Sequence, residues 1–174
     1  QHQGEVDMLE ETYLKIISAK TAELFAAATK VGAILSGMKS KEKEALEFYG
    51  RNLGLTFQIA DDTLDYNSEL KLFGKKIGQD FYEGKITLPI ILLFQKADDK
   101  EKERLKEIFS KNVRSQDDLE YSLSLIKKYE IIKACYKKAE HYINLASNSL
   151  SVFGDSEEKN ILENLTSFSL TRNF

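Results

Sequence analysis

Four residues in one stretch have the types and spacing to handle a metal-bound anion. Gln58, Asp61, Asp62 and Asp65 stand at i, i+3, i+4 and i+7, so on a helix they project from one face. Their neighbours Phe57, Ile59, Ala60 and Leu64 are apolar, which turns that face toward a cavity rather than open water. Three carboxylates within two turns repel one another and, near a helix C-terminus, oppose the macrodipole at roughly 0.3–1 kcal/mol per charge. A cation would offset this. Clustered hard oxygens suit Mg²⁺, which keeps several waters and bridges one or two carboxylates to substrate phosphates. Asp61, Asp62 and Asp65 are therefore the candidate metal ligands. A lysine taken alone is ordinarily a solvated surface residue, but beside such a stripe Lys20, Lys75 and Lys85 become candidate phosphate partners. Thr21 adds a hydroxyl next to Lys20, and Gln58 an amide on the stripe itself. Together they describe a metal-and-lysine clamp for a diphosphate.

The elements that must position these residues read as helices. From Asp7 to Gly37 apolar residues recur at helical spacing, with Gly37 placed to stop the element. Ser40 is a candidate cap for a second helix from about Lys41 to Tyr66, which carries the acidic stripe. Periodicity fades between Asn67 and Lys85, where Gly74, Gly78 and Gly84 alternate with charged residues, so a long loop with at most a helical turn is expected. Thr87 and Pro89 open the run Leu88–Phe94 as a buried helix rather than a strand. Further helices are expected at about Asp99–Phe109, Gln116–Lys128, Ile131–Val152 and Glu157–Leu170, with caps at Asp98, Ser115 and Asp155. The pairs Asp98-Asp99 and Asp117-Asp118 read as helix-start residues, not ligands. No strand pattern is present. The fold class is all-α, a helical bundle with its site built from side chains on facing helices.

The 174 residues, 42% hydrophobic and 30% charged, suffice for one core, and a single Pro with no Gly/Ser-rich linker gives no internal boundary, so residues 1–174 read as a single domain. A net charge of −3 from interspersed acids and bases argues against a nucleic-acid surface. One Cys, Cys135, excludes an internal disulfide and suits a reducing, cytoplasmic compartment. No apolar run reaches the roughly 18–20 residues of a membrane span, and the opening residues have no signal-peptide character. The chain does not begin with Met, which hints at a piece of something longer. His2 and His141 are isolated, and no nucleophile arrangement is visible.

The stretch Phe57-Gln58-Ile59-Ala60-Asp61-Asp62-Thr63-Leu64-Asp65 resembles the second aspartate-rich motif, DDxxD, of the trans-type polyprenyl diphosphate synthases. Gly74-Lys75-Lys76-Ile77-Gly78-Gln79-Asp80 and Glu83-Gly84-Lys85-Ile86-Thr87-Leu88-Pro89 resemble that family's GKxxGxD and EGKxTLP segment, and Gly4-Glu5 and Lys20-Thr21 its GE and KT motifs. The EGKITLP form is most similar to long-chain synthases of the octaprenyl type. The resemblance implies an isoprenoid-synthase-like bundle and a Mg²⁺-dependent prenyltransferase that condenses isopentenyl diphosphate with an allylic diphosphate. Metal and electrostatic assistance to the leaving diphosphate would carry the chemistry. By position Asp61, Asp62 and Asp65 would hold Mg²⁺. Lys20, Lys85 and Lys75, or its neighbour Lys76, would contact the allylic diphosphate, with Thr21 and Gln58 in support. Family members carry an earlier DDxxD motif that this chain lacks, so the chain resembles the C-terminal half of a synthase, inactive alone, whose full-length form would be a homodimer. The alternative is a non-catalytic helical subunit acting through the apolar surface left by the absent half.

Overall fold

A computed structural model describes residues 10–67 and 77–171. Every regular element in them is helical: α1 (Glu10–Ile17), a π-helical turn (Ser18–Ala22), α2 (Glu23–Leu35), α3 (Ser40–Leu64), α4 (Gln79–Glu83), α5 (Leu88–Lys96), α6 (Asp99–Ser110), α7 (Gln116–Lys128), α8 (Ile131–Ser149), a 3₁₀ turn (Leu150–Val152) and α9 (Glu157–Thr171). The all-helical expectation holds, and most boundaries fall within a residue or two of those expected.

The helix ends show why. At the end of α2 the Met38 N–H reaches Ala33 O at 3.1 Å and the Gly37 N–H reaches Ile34 O at 3.0 Å. This is a Schellman closure, and Gly37 takes the left-handed conformation it requires at φ 67°. Asp98 and Ser115 each complete a reciprocal capping box, with Glu101 and Asp118 as the returning carboxylates. Helix α5 starts from an extended Thr87 with Pro89 in its first turn, and Leu88 through Leu93 are all buried.

Three expectations are corrected. Ser40 does not cap α3 but begins it. The preceding Lys39 donates its N–H to Glu42 Oε2 at 2.7 Å, so the acid in the first turn does the capping from within. Ser156, not Asp155, caps α9, its Oγ accepting the Lys159 N–H at 3.2 Å, while Asp155 pairs with the Lys159 ammonium. The helix expected from Asp7 is broken in phase by the π turn, whose extra residue per turn leaves no mark on apolar periodicity. The helical turn allowed for in the loop up to Lys85 is α4, bracketed by Gly78 and Gly84, both left-handed. Lys75, Lys76, Gly74, Gly4 and Glu5 lie outside the described residues.

The chain divides into two compact units, residues 1–13 with 61–136 and residues 14–60 with 137–174. The divisions fall inside α1, α3 and α8 rather than in linkers, so no shift in composition marks them. In the first unit Phe81 and Phe94 both meet Phe109 edge-on, with ring centroids 5.4 and 6.1 Å away. In the second, Tyr49, Leu53, Ala146 and Leu150 form a buried cluster. The Tyr49 hydroxyl is satisfied there by Leu162 O at 2.8 Å, and burial pushes its pKa up to about 12. Among the described residues no helix is long and apolar enough to cross a membrane.

Candidate functional site

The acidic stripe ends α3 and begins the first unit's share of that helix, and its three carboxylates have different surroundings. Asp61 is exposed, Asp62 is buried and Asp65, one residue past the helix, is half-buried. The Tyr13 hydroxyl donates to Asp62 Oδ2 at 2.7 Å. Burial, with the adjoining Asp62 carboxylate, holds the Tyr13 pKa well above its ordinary value, so the phenol stays a donor. Cys135 packs nearby with Thr63, and burial pushes its thiol up to about 12. This is a structural thiol, as expected for a small buried Cys.

Asp65 organises the following segment. Its Oδ1 accepts the Gln79 N–H at 3.0 Å and its Oδ2 the Asp80 N–H at 2.9 Å, while its backbone oxygen accepts the Gly78 N–H at 2.8 Å. Those are the N–H groups that a helix start leaves without an internal partner, so Asp65 caps α4 from fourteen residues away. Burial raises the Asp65 pKa, and the N–H donors oppose that rise without cancelling it.

At the other end of α4, Gly84 turns the chain and Lys85 folds back. Its ammonium lies 2.9 Å from Asp80 Oδ1 and 2.6 Å from Glu83 Oε2, and these two contacts, Asp80 first, raise its pKa. The first unit thus places Asp61, Asp65, Asp80 and Lys85 in one connected segment. Among the described residues, however, no group of three His, Cys, Asp or Glu side chains is arranged to hold a metal ion. Asp62 accepts from Tyr13, and Asp65 caps α4.

In the second unit, Lys20 is exposed on the π turn and Thr21 beside it donates its hydroxyl to Gln58 Oε1 at 2.8 Å. Two glycines of α3 make this contact possible. A Cβ on Gly54 would lie 2.7 Å from Ala22 Cα, and one on Gly50 would lie 2.5 Å from Phe25 O and 2.3 Å from Thr29 Oγ1. Only glycine lets the π turn and α2 approach α3 so closely. π turns are frequent at functional sites, and this one carries Lys20 and Thr21.

The sequence names Thr21 and Gln58 as joint supports of the site, and the structure brings them together, but the sequence misses several partners. Tyr13 reads as one more apolar position, although a buried Tyr needs a partner for its hydroxyl. Asp80 is visible only as part of a loop. Gly50 and Gly54, four apart within a helix, were the one available signal for close helix approach.

The Polyprenyl synthetase family model matches residues 1–126. A short chain isoprenyl diphosphate synthase of Methanothermobacter thermautotrophicus is 36% identical over 167 residues, which are 96% of this chain and 51% of that protein. Octaprenyl diphosphate synthase of Escherichia coli is 47% identical over 85 residues, 49% of this chain and 26% of its own length. A crystal structure of polyprenyl synthase from Caulobacter crescentus, complexed with calcium and isoprenyl diphosphate, superposes with a TM-score of 0.92 at 36% identity, covering all of this chain and 53% of that one. The chain spans about half the length of the curated relatives it matches. With the family model matched over most of the chain and the whole helical arrangement shared with a polyprenyl synthase, this chain belongs to the polyprenyl synthetase family.

Proposed function

We propose that this chain supplies the second aspartate-rich half of a polyprenyl diphosphate synthase, which condenses isopentenyl diphosphate with an allylic diphosphate. The observation that supports this reading most is the connected segment from Asp61 to Lys85. It sets an exposed carboxylate, a helix-capping Asp65 and a lysine held by Asp80 and Glu83 in one unit.

The donor set fits Mg²⁺, which asks for one or two carboxylates and takes its remaining oxygens from water and phosphate. Asp61 is the exposed carboxylate of the motif and its first ligand. Asp65 would add a second oxygen while capping α4, and Asp62, held by Tyr13, would fix the end of α3 and complete the expected triad at longer range. Bound Mg²⁺ would neutralise charge building on the departing diphosphate. Lys85 uses two of its three donors on Asp80 and Glu83, which aims the ammonium and leaves a third for a diphosphate oxygen. Lys20 and Lys75 are proposed as further diphosphate contacts. Thr21 and Gln58 position the π turn that bears Lys20.

Two measurements on the 174-residue chain test this. Calorimetry should show inorganic pyrophosphate binding that depends on Mg²⁺ and is removed by EDTA. Condensation of labelled isopentenyl diphosphate by the chain alone should be slight, because its relatives are about twice as long. Absence of Mg²⁺-dependent pyrophosphate binding would overturn the site, and brisk condensation would overturn the half-site reading.

A second reading, a subunit acting through protein contacts, has its own support in α2. Leu24, Val31, Ile34 and Leu35 are 73%, 51%, 50% and 82% exposed on that helix, more apolar surface than a helix normally leaves in water. Self-association of the chain into a homodimer would satisfy it, and light scattering across a dilution series decides that.

A further inference from the structure

We propose that Arg114 is a positioning residue for Lys85, its guanidinium clamping the turn at the end of α4 from which the Lys85 ammonium is aimed. The inference rests on the reading of Lys85 as a diphosphate contact and goes beyond it to what holds that lysine in place.

Arg114 is only 8% exposed, and among the described residues it pairs with no carboxylate. Its Nη2 donates to Phe109 O at 2.9 Å and its Nη1 to Tyr82 O at 3.4 Å. Those oxygens belong to the last turns of α6 and α4, where helix carbonyls lack internal partners and where a cation also suits the macrodipole. One guanidinium therefore closes two helix ends, which its planar fork allows and a point-like ammonium does not.

The same group occupies the space over Gly84. A Cβ on Gly84 would lie 2.7 Å from Nη2 and 2.8 Å from Nη1, so the glycine is needed for contact with the arginine as well as for its φ of 72°. Lys85 follows directly, its N–H bound to Asp80 O at 2.9 Å. The Tyr66 and Thr87 hydroxyls and the Arg114 Nε are buried without a protein hydrogen-bond partner. Burying a cation among such groups is unfavourable for stability, and holding the turn in register gives it a use.

Hydrogen exchange followed by NMR on the full 174-residue chain tests the clamp, comparing wild type with Arg114→Lys and Arg114→Met. We expect the Lys85 amide to exchange at least about tenfold faster in both variants, the mark of a lost local opening barrier, while the Leu125 and Ile126 amides are unchanged. Lysine should not rescue. An unaltered Lys85 amide in a folded Arg114→Lys variant overturns the proposal. If neither variant folds, the wild type decides, since a Lys85 amide exchanging at the rate of an unstructured peptide also overturns it. Pyrophosphate titration with Mg²⁺ on the same proteins and on Lys85→Ala separates the two readings. A loss of affinity of about tenfold in Lys85→Ala and a similar loss in Arg114→Lys support the positioning role. Loss in Lys85→Ala alone overturns it. Equal affinity for wild type and Lys85→Ala instead removes Lys85 from the diphosphate site, which is failure of the functional reading, with the exchange data still judging the clamp.

Discussion

One substitution made at two helical glycines should have opposite effects. Gly32 in α2 and Gly50 in α3 both sit inside helices, where alanine is intrinsically favoured by about 1 kcal/mol. At Gly32 a new Cβ meets nothing within 4 Å, so Gly32→Ala should keep most of that gain, about 0.5–1 kcal/mol. For a domain of this length that corresponds to a rise in Tm of about 1–4 °C. At Gly50 the Cβ would meet Phe25 O at 2.5 Å and Thr29 Oγ1 at 2.3 Å. Neither can step aside. The first is backbone, and the Thr29 hydroxyl is bonded to Leu46 O at 2.6 Å. Overpacking of this kind costs about 1–3 kcal/mol, and contact with backbone places Gly50→Ala near the upper end. Subtracting the helix gain leaves a net loss of about 2 kcal/mol, a fall of about 4–8 °C. Thermal unfolding followed by circular dichroism reads both variants. Equal stabilisation by the two substitutions would refute the close approach of α2 to α3, and with it the account of how Thr21 reaches Gln58.

Asp61→Asn should weaken Mg²⁺-dependent pyrophosphate binding, and Asp62→Asn, which alters a buried acceptor of the Tyr13 hydroxyl, should lower Tm by an amount equivalent to about 1–3 kcal/mol; calorimetry on the first and melts on the second check these outcomes. Asp118 is held down from 3.8 to about 2 by the Lys111 ammonium and by the Ser115 N–H, so its stabilisation is complete above the unfolded value and is lost as pH falls from about 4 through about 2. Melts at pH 2 to 5 should show that slope, and Asp118→Asn should flatten it. Glu130 follows α7 at φ 50° without being glycine, and Glu130→Gly should be neutral to stabilising by up to about 1 kcal/mol in urea titrations.

What could be read from the sequence was what depends on near neighbours. Gly37, Thr87 with Pro89, and the Asp98 and Ser115 boxes act within four residues of themselves, and each ended or began the helix where expected. Ser40 and Asp155 failed for a related reason. At α9 the neighbouring Ser156 accepts the Lys159 N–H, at α3 Glu42 turns back to the Lys39 N–H, and sequence pattern does not rank such alternatives. The family-bearing residues were legible as types at a spacing, yet their division of labour was not. Whether Asp62 faces water or Tyr13 depends on a contact across forty-nine positions, and Arg114 appears in the sequence as one more surface cation. The π turn was hidden because an extra residue in a helix alters the phase of its faces without altering composition.

Asp65 holds the far end of a chain segment as well as capping a helix. Its side chain and backbone oxygen together fasten residues 78–80 to the end of α3, so one residue ties together two parts of the chain that are distant in sequence. Local opening at the start of α4 must break those three hydrogen bonds together, and the helix that leads to Lys85 therefore opens as a unit with the end of α3.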